Sequence, residues 1–376
     1  MLFKRKLIVS LFMCLAFIIT LIFPNSTNAA STTKQLTYLA LGDSLAAGQT
    51  PYFKIGKGYT DMMAEDLKEI GFLHSFSKQY AFSGYTSQKV LQDIQNDVRK
   101  GTNDVTGIRG NITKADMITL DAGANDLLRK MKRTDDGLSI EPEALNEVLT
   151  GVNANIEEIL NEIQILNPDA KVYVMGYYNA YPYLPTDQQE QFLPILDELN
   201  NTIKNATEKE NATFVPTKNT IAINAKTYLP NSSDIHPGLK GYEAIAKEFW
   251  KVVYPDVTDH HRDSIFVNGI YQMSDQPLVI IKGRTLVHVR GVFKDLGADV
   301  SWDQKTRAVI IKKDTDIIKL FVDSNKAYKN GKLLPIDVSA KIINGRTMIP
   351  LRFISESIGA TVKWDNETKN VFIRSE

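Results

Sequence analysis

Short apolar runs alternate with longer amphipathic segments over most of the first 254 residues. The apolar runs predict buried strands at Thr37–Leu41, Met117–Leu120, Val172–Gly176 and Thr213–Val215. The amphipathic segments predict helices at Ser87–Lys100, Pro142–Leu166, Asp187–Glu210 and Leu239–Val253. In the last segment the apolar residues recur with a period near 3.6, which is that of a helix. Strands that alternate with helices predict a parallel sheet covered by helices on both faces.

The chain after this region contains an internal repeat. Residues 280–285 (Ile-Ile-Lys-Gly-Arg-Thr) recur at 342–347 as Ile-Ile-Asn-Gly-Arg-Thr, an offset of 62 residues. The pair Asn268-Gly269 recurs as Asn330-Gly331, and Asn-Gly is the strongest short signal for a hairpin turn. Each unit is therefore predicted to contain a hairpin, a strand, a short helix and a second hairpin. The short helices are expected at Val292–Leu296 and Ile354–Ile358.

The polar, irregular passage 255–262 separates the two patterns. The length also exceeds that of one ordinary domain, so two domains are expected. We predict a first domain over 31–256, a linker over 257–265 and a repeat domain over 266–376. A chain ending at about Asp256 is accordingly expected to fold by itself and to keep the function of the first domain.

The first 30 residues have the features of a secretory signal peptide. Lys4, Arg5 and Lys6 precede an uninterrupted apolar stretch over 7–23, and small residues follow up to Ala30. An uncleaved membrane anchor is the alternative, because the stretch almost reaches spanning length. The only cysteine lies inside this segment, so the mature protein has no disulfide. Secretion is the expected localisation, with cell-wall association as a further option.

Charge excludes one class of partner. The full chain carries 44 basic and 44 acidic residues. Removal of the signal peptide takes away three basic residues and no acidic one, which leaves 41 against 44. This near-balance provides no basic surface for nucleic acid.

Four short motifs stand at the ends of predicted strands or at the starts of helices. In chain order they are Leu39-Ala-Leu-Gly-Asp-Ser44, Ala81-Phe-Ser-Gly84, Gly123-Ala-Asn-Asp126 and Asp234-Ile-His-Pro237. Ligands of a parallel sheet bind at the carboxyl ends of its strands. Ser44 and Asn125 both follow strands directly, so they are expected at the same rim of the sheet.

The four motifs together resemble those of the GDSL (or SGNH) hydrolases, a family of serine esterases, lipases and acylhydrolases. The resemblance covers residues 37–254. It implies an α/β fold with three α/β/α layers around a parallel, flavodoxin-like sheet. By resemblance, Ser44 is the nucleophile and His236 is the base. The oxyanion donors are then the N–H groups of Ser44 and Gly84 and the side-chain amide of Asn125. No metal or organic cofactor is implied.

The acid departs from the family pattern. The usual motif of the family is Asp-x-x-His, which would place the acid at position 233. That residue is Ser233 in this chain, and the acid is Asp234, in an Asp-x-His spacing. In an extended strand, residues two apart face the same way. Asp234 is therefore expected to orient His236 from such a strand. A Ser-His dyad assisted by a backbone carbonyl is the alternative.

The repeat region resembles the domain named after the amino-terminal domain of copper amine oxidases, which is often appended to secreted proteins of Gram-positive bacteria. A copper site is not expected, because the region offers one histidine, His288, whose repeat counterpart is Pro350. The region is interpreted as a stalk or as a binding module for cell wall or glycan.

These features predict a secreted serine esterase or lipase that hydrolyses carboxylic esters as a monomer. Its partner is a small-molecule or lipid ester. A carbohydrate O-deacetylase of the cell envelope and a non-catalytic surface-binding protein are the alternatives. The passage 176–185 carries four tyrosines at the predicted rim, and Tyr52 and Phe53 follow the nucleophile. These aromatic side chains either line a substrate site or pack a loop onto the domain.

Overall fold

The computed structural model describes residues 35–101, 104–134, 137–259, 261–272 and 277–375. All of these lie within one compact unit that spans Thr33–Glu376. The predicted signal peptide over 1–30 lies outside the described residues. In the part of the chain that is described, no helix combines the length and the apolar character needed to cross a membrane.

The first half of the unit is built on a parallel sheet. The strands are β1 (Leu36–Gly42), β2 (Leu73–Ala81), β3 (Met117–Asp121), β4 (Lys132–Thr134), β5 (Gly137–Ser139), β6 (Lys171–Met175) and β7 (Thr213–Val215). Five of them form one sheet in the order β2-β1-β3-β6-β7, with parallel pairing throughout. Relative to chain order this is the 2-1-3-4-5 arrangement of a flavodoxin-like sheet. The predicted fold class is confirmed.

Helices cover both faces of this sheet. They are α1 (Ser44–Ala47), α2 (Tyr59–Glu69), α3 (Ser87–Gln95), α4 (Gly107–Ile112), α5 (Ala124–Leu128), α6 (Pro142–Leu166), α7 (Thr186–Lys209), α8 (Lys218–Ala222), α9 (Ala225–Tyr228) and α10 (Leu239–Val257). Helices α3, α6 and α7 pack together in one layer, and α2 packs on α10 in the other. Strand β3 is buried along its whole length and β6 over its last three residues, as expected for strands covered on both faces.

The apolar pattern of the sequence predicts the central strands and four of the helices, but it does not predict helix α2, whose Tyr59, Met63 and Leu67 are buried, or one exposed strand. The four predicted strands and four predicted helices are all present, with ends that differ by a few residues. Strand β2 was not predicted, because only Tyr80 and Ala81 at its end are buried. It is an edge strand, so it lacks the apolar run that marked the central strands. Helix α10 continues through Pro255, where the sequence suggested a boundary.

The second half of the unit is rich in antiparallel strands. These are β8 (Ile265–Val267), β9 (Ile270–Gln272), β10 (Val279–Ile281), β11 (Arg284–His288), β12 (Asp299–Asp303), β13 (Ala308–Lys313), β14 (Asp316–Phe321), β15 (Lys326–Lys329), β16 (Lys332–Pro335), β17 (Lys341–Ile343), β18 (Arg346–Pro350), β19 (Ala360–Trp364) and β20 (Val371–Ser375). Two short helices accompany them, α11 (Val289–Asp295) and α12 (Leu351–Ser357).

The two repeat units exchange strands rather than fold separately. Strands β10 and β11 of the first unit share a sheet with β17 and β18 of the second, in the order β10-β11-β18-β17. The last hairpin, β19-β20, pairs with the first, β8-β9. Both predicted Asn-Gly turns are present, with positive φ at Asn268, Gly269, Asn330 and Gly331. Positive φ at both central residues is the requirement of a type I′ hairpin turn.

Aromatic rings join the repeat region to the first half of the unit. The ring of Phe72, which follows helix α2, lies 5.5 Å from that of Phe266 and 6.4 Å from that of Phe372. Both partner rings belong to the same buried cluster as the parallel sheet. Backbones also meet closely, because a Cβ on Gly269 would lie 2.7 Å from the Gly71 carbonyl oxygen. The division into two domains stays a prediction. The residues before and after the predicted boundary pack against each other.

We expect a chain ending at Thr258 to fold with lower thermal stability than the full chain. Phe72 is buried in the full chain, and its exposure would cost about 2 kcal/mol. For a domain of this size such a loss lowers Tm by roughly 4–8 °C. Thermal unfolding followed by circular dichroism would measure the difference. Equal Tm values would show that the aromatic contact contributes nothing to stability.

Candidate active site

The turn after β1 places Ser44 at the rim of the sheet. Gly42 has φ 139°, and a Cβ there would lie 1.8 Å from Asp121 Oδ1, so glycine is required. Asp43 then caps the short helix α1, because its Oδ1 accepts the Leu45 N–H at 2.9 Å. Ser44 is the first residue of that helix, and its exposed fraction is 8%. The hydroxyl is thereby held at a strand-to-helix corner, as predicted.

His236 reaches Ser44 from a loop 192 residues further along the chain. Its Nε2 lies 2.8 Å from Ser44 Oγ. Its Nδ1 lies 2.8 Å from Asp234 Oδ1. The imidazole of His236 thus lies between the Ser44 hydroxyl and the Asp234 carboxylate, within hydrogen-bond distance of each.

Asp234 reaches the imidazole by a route that the sequence analysis did not anticipate. The expectation of an extended strand is wrong, since no strand covers residues 231–237, which contain a turn at 232–233 and a bend at His236. Asp234 Oδ1 accepts the backbone N–H of His236 at 2.8 Å as well as contacting Nδ1. A carboxylate that bonds the N–H two residues on forms an Asx turn. This turn brings the Asp234 carboxylate into contact with the imidazole despite the shorter Asp-x-His spacing. Ser233 is exposed.

The remaining predicted residues are Asn125, the second residue of helix α5, and Gly84, in the loop after β2. Asn125 lines the same pocket as Ser44 and His236. Its Nδ2 donates to the Tyr85 carbonyl at 2.9 Å, which ties it to the loop that holds Gly84. Gly84 has φ 79°, and a Cβ there would meet no protein atom within 4 Å. Backbone conformation, rather than crowding by the protein itself, is what requires glycine at this position.

Comparison with protein families decides the identity of this region. A sequence model of the GDSL-like lipase/acylhydrolase family matches residues 40–244, more than half of the 376-residue chain. The chain belongs to this family. The resemblance inferred from the four motifs is therefore confirmed, and the protein is a carboxylic ester hydrolase.

The copper amine oxidase N-terminal domain model matches residues 266–373 of this GDSL-like hydrolase. The second resemblance is thereby confirmed. Within the described residues, no group of three or more His, Cys, Asp or Glu side chains is arranged to hold a metal ion. The residues described in this domain therefore do not fit a copper site.

Solved structures with similar chain traces include three hydrolases. Lipase Lip_vut3 from a goat rumen metagenome is 24% identical with a TM-score of 0.43, and the match covers 57% of this chain and 96% of that one. LAE5, an alpha/beta hydrolase from the metagenome of Lake Arreo in Spain, is 18% identical with a TM-score of 0.41, covering 58% and 94%. Axe2, an acetylxylan esterase from Geobacillus stearothermophilus, is 18% identical with a TM-score of 0.41, also covering 58% and 94%. A search of curated proteins finds no match.

Gln49 is a member of the hydrolase site that sequence reasoning missed. Its Nε2 lies 3.3 Å from His236 Nδ1, and its Oε1 accepts from the Ser83 hydroxyl. Its backbone carbonyl accepts from the Tyr242 hydroxyl at 2.6 Å. Gln49 therefore lies against the imidazole and is hydrogen-bonded to the loop that carries Gly84. No local pattern marks a glutamine in a loop for such a contact, which only the fold creates.

Two buried carboxyl groups lie directly behind Ser44 of this hydrolase. Asp121 Oδ1 accepts the Asp43 N–H at 2.8 Å, and Asp43 Oδ2 accepts from the Tyr177 hydroxyl at 2.8 Å. Burial raises the pKa of both carboxyl groups, and repulsion by Asp43 raises the pKa of Asp121 further. Asp121 Oδ2 has no hydrogen-bond partner among the described residues. A neutral carboxyl group at Asp121 avoids the cost of an uncompensated buried charge.

An apolar pocket opens beside Ser44. Its volume is about 50 Å3. Three of the four tyrosines of the passage 176–185 line it, namely Tyr177, Tyr178 and Tyr181. The ring of Tyr181 meets that of Phe192 edge to face at 5.2 Å. Tyr52 and Phe53 are exposed instead. The tyrosine-rich passage therefore forms a pocket wall.

We expect the unfolding free energy of the Asp121→Asn variant to decrease less with rising pH than that of the wild-type chain. The pKa of Asp121 is higher in the folded than in the unfolded chain, so the folded state binds more protons above about pH 4. Stability must then decrease as pH rises towards the raised pKa. Asparagine does not titrate and can still accept the Asp43 N–H. Urea unfolding at pH 5 and pH 8 compares the two chains. Parallel losses of unfolding free energy in both would contradict a protonated Asp121.

Proposed function

We propose that this hydrolase cleaves carboxylic esters through Ser44, His236 and Asp234 by an acyl-enzyme mechanism. The observation that carries the proposal is the line of two 2.8 Å contacts from Ser44 Oγ through the imidazole to Asp234 Oδ1. With Nδ1–H directed at the carboxylate, Nε2 is the nitrogen that can take a proton. The contact with Asp234 favours this triad over a Ser-His dyad.

The chemistry proceeds in two halves. His236 takes the proton of Ser44, whose oxygen attacks the ester carbonyl, and the protonated imidazole then supplies a proton to the departing alcohol. Water repeats the sequence on the acyl-enzyme and releases the acid. The N–H groups of Ser44 and Gly84 and the amide of Asn125 would stabilise the oxyanion. One donor of this kind is worth about 3 kcal/mol of barrier.

The pocket supports a short acyl group. A buried water needs roughly 10–15 Å3 of such volume. The pocket volume of about 50 Å3 therefore admits only a few heavy atoms. Its apolar lining includes Leu128, Leu196 and Phe192. A long acyl chain would therefore have to extend beyond the pocket.

A carbohydrate O-deacetylase of the cell envelope is the second candidate, because acetyl is the acyl group that this small pocket fits most readily. The basic and apolar features of residues 1–30 favour secretion. We further propose that the exported protein contacts cell-wall glycan through residues 266–376.

We expect p-nitrophenyl acetate and butyrate to be hydrolysed much faster than p-nitrophenyl palmitate. Ser44→Ala should lower the rate on every ester by a thousandfold or more, since the nucleophile is lost. Ser233→Ala is the matched control, because this serine is exposed and precedes Asp234 in the chain but has no part in the contacts among Ser44, His236 and Asp234. Initial rates of ester cleavage test both points. More than a tenth of the wild-type rate in Ser44→Ala would exclude Ser44 as nucleophile, and a preference for palmitate would exclude the short acyl pocket.

We expect Tyr181→Ala to extend the acyl-chain range. Loss of the ring widens the pocket, so the ratio of the kcat/KM values for hexanoate and acetate esters should rise roughly tenfold. Tyr183→Ala is the control, since this tyrosine is on the same passage and does not line the pocket. Its hydroxyl donates to the Leu229 carbonyl. Equal ratios in both variants would show that Tyr181 does not limit chain length.

A further inference from the structure

A second cavity lies in the repeat region, away from Ser44. Its volume is about 590 Å3, within the range of roughly 300–1,000 Å3 typical of ligand sites. The turn between β10 and β11 forms one wall, and α12 with β19 forms another. The segment 335–338, together with Pro350, Asn366 and Val371, completes the lining. We refer to this cavity as the repeat groove.

Two aromatic side chains line the repeat groove. Phe353 on α12 and Trp364 on β19 both pack against the core of the repeat region. The indole N–H of Trp364 donates to Asn366 Oδ1 at 3.0 Å, which fixes the orientation of the ring. Both rings are thus held in place, and they supply apolar surface to the groove.

Charged side chains at the groove occur in opposite pairs. Arg284 Nη2 lies 2.6 Å from Asp337 Oδ2, and Arg352 Nε lies 3.9 Å from Glu356 Oε1. All four line the groove and are partly exposed to solvent. Two positive and two negative groups cancel, so the lining does not favour a polyanion or a polycation. It offers instead a set of hydrogen-bond donors and acceptors.

We infer that the repeat groove binds a neutral oligosaccharide. Sugar rings combine apolar C–H faces with hydroxyl groups, which match fixed aromatic surface and paired guanidinium and carboxylate groups respectively. A volume of about 590 Å3 accommodates more than one sugar ring. This inference gives a location to the proposed contact with cell-wall glycan, and it does not depend on ester hydrolysis.

The internal repeat shows which of these groups are particular to the groove. Trp364 has the counterpart Trp302, which is 40% exposed, donates to Gln304 and does not line the groove. Phe353 corresponds to Gly291, and Glu356 corresponds to Lys294. The first unit therefore retains the tryptophan but lacks the second ring and the acidic partner. Trp302 is accordingly a matched control for an exposed tryptophan outside the groove.

Titration calorimetry of the full chain with hexamers of β-1,4-linked N-acetylglucosamine and of xylose would test the inference. We expect one of them to bind the wild-type chain. Phe353→Ala and Arg352→Gln should each weaken that binding at least tenfold, whereas Trp302→Ala should leave it unchanged. Arg352 is exposed, so its variant tests the groove without disturbing the core. Cleavage of p-nitrophenyl acetate should stay at the wild-type rate in all three variants.

The outcomes separate this inference from the proposed hydrolysis. Failure of both hexamers to bind, or binding that neither groove variant weakens, overturns the inference whatever the esterase rate. Binding of mixed casein peptides in place of sugars, with the same sensitivity to the two variants, would establish a peptide groove and also overturn it. Absence of ester cleavage with intact sugar binding would instead count against the proposed triad alone.

Discussion

The parallel pairing of β1 with β3 is the constraint on which the site depends. It sets Gly42 opposite Asp121, so the Asp121 carboxyl group lies against the Gly42–Asp43 peptide and accepts the Asp43 N–H. Asp43 in turn caps helix α1, whose first residue is Ser44. The position of the hydroxyl therefore follows from strand register and one buried side chain. Because both carboxyl groups are buried, this arrangement raises their pKa values at the centre of the protein.

A second set of contacts brings the imidazole to that hydroxyl. Tyr178 donates to the Ile235 carbonyl at 2.7 Å, and Asn231 donates to the Pro51 carbonyl at 2.8 Å. The His236 loop is thus attached both to the tyrosine-rich passage and to the loop after α1. The pocket wall, His236 and Ser44 are consequently parts of one hydrogen-bonded assembly. A rigid assembly of this kind suits chemistry that depends on short, well-aligned contacts.

The repeat region extends this architecture without taking part in the triad. Its strands exchange between units, so neither unit completes its sheets alone. Phe266 and Phe372 then pack on Phe72 next to the parallel sheet. The chain thereby combines an ester hydrolase site with a separate groove, and the aromatic contact joins the two halves. A glycan held in the groove would keep the hydrolase close to a glycan-rich surface.

The sequence by itself determined the buried strands, the amphipathic helices, the Asn-Gly turns and the family, since each of these depends on local periodicity or on short motifs. It also indicated Ser44, His236 and Asp234, which stay proposed catalytic residues. Only the tertiary structure decided the Asx turn of Asp234, the contacts of Gln49, the second carboxyl group at Asp121 and the size of the pocket. These features depend on side chains that are far apart in the chain and meet through sheet order and loop packing. No local pattern carries that information, because the same residues would serve equally well as ordinary loop or strand positions.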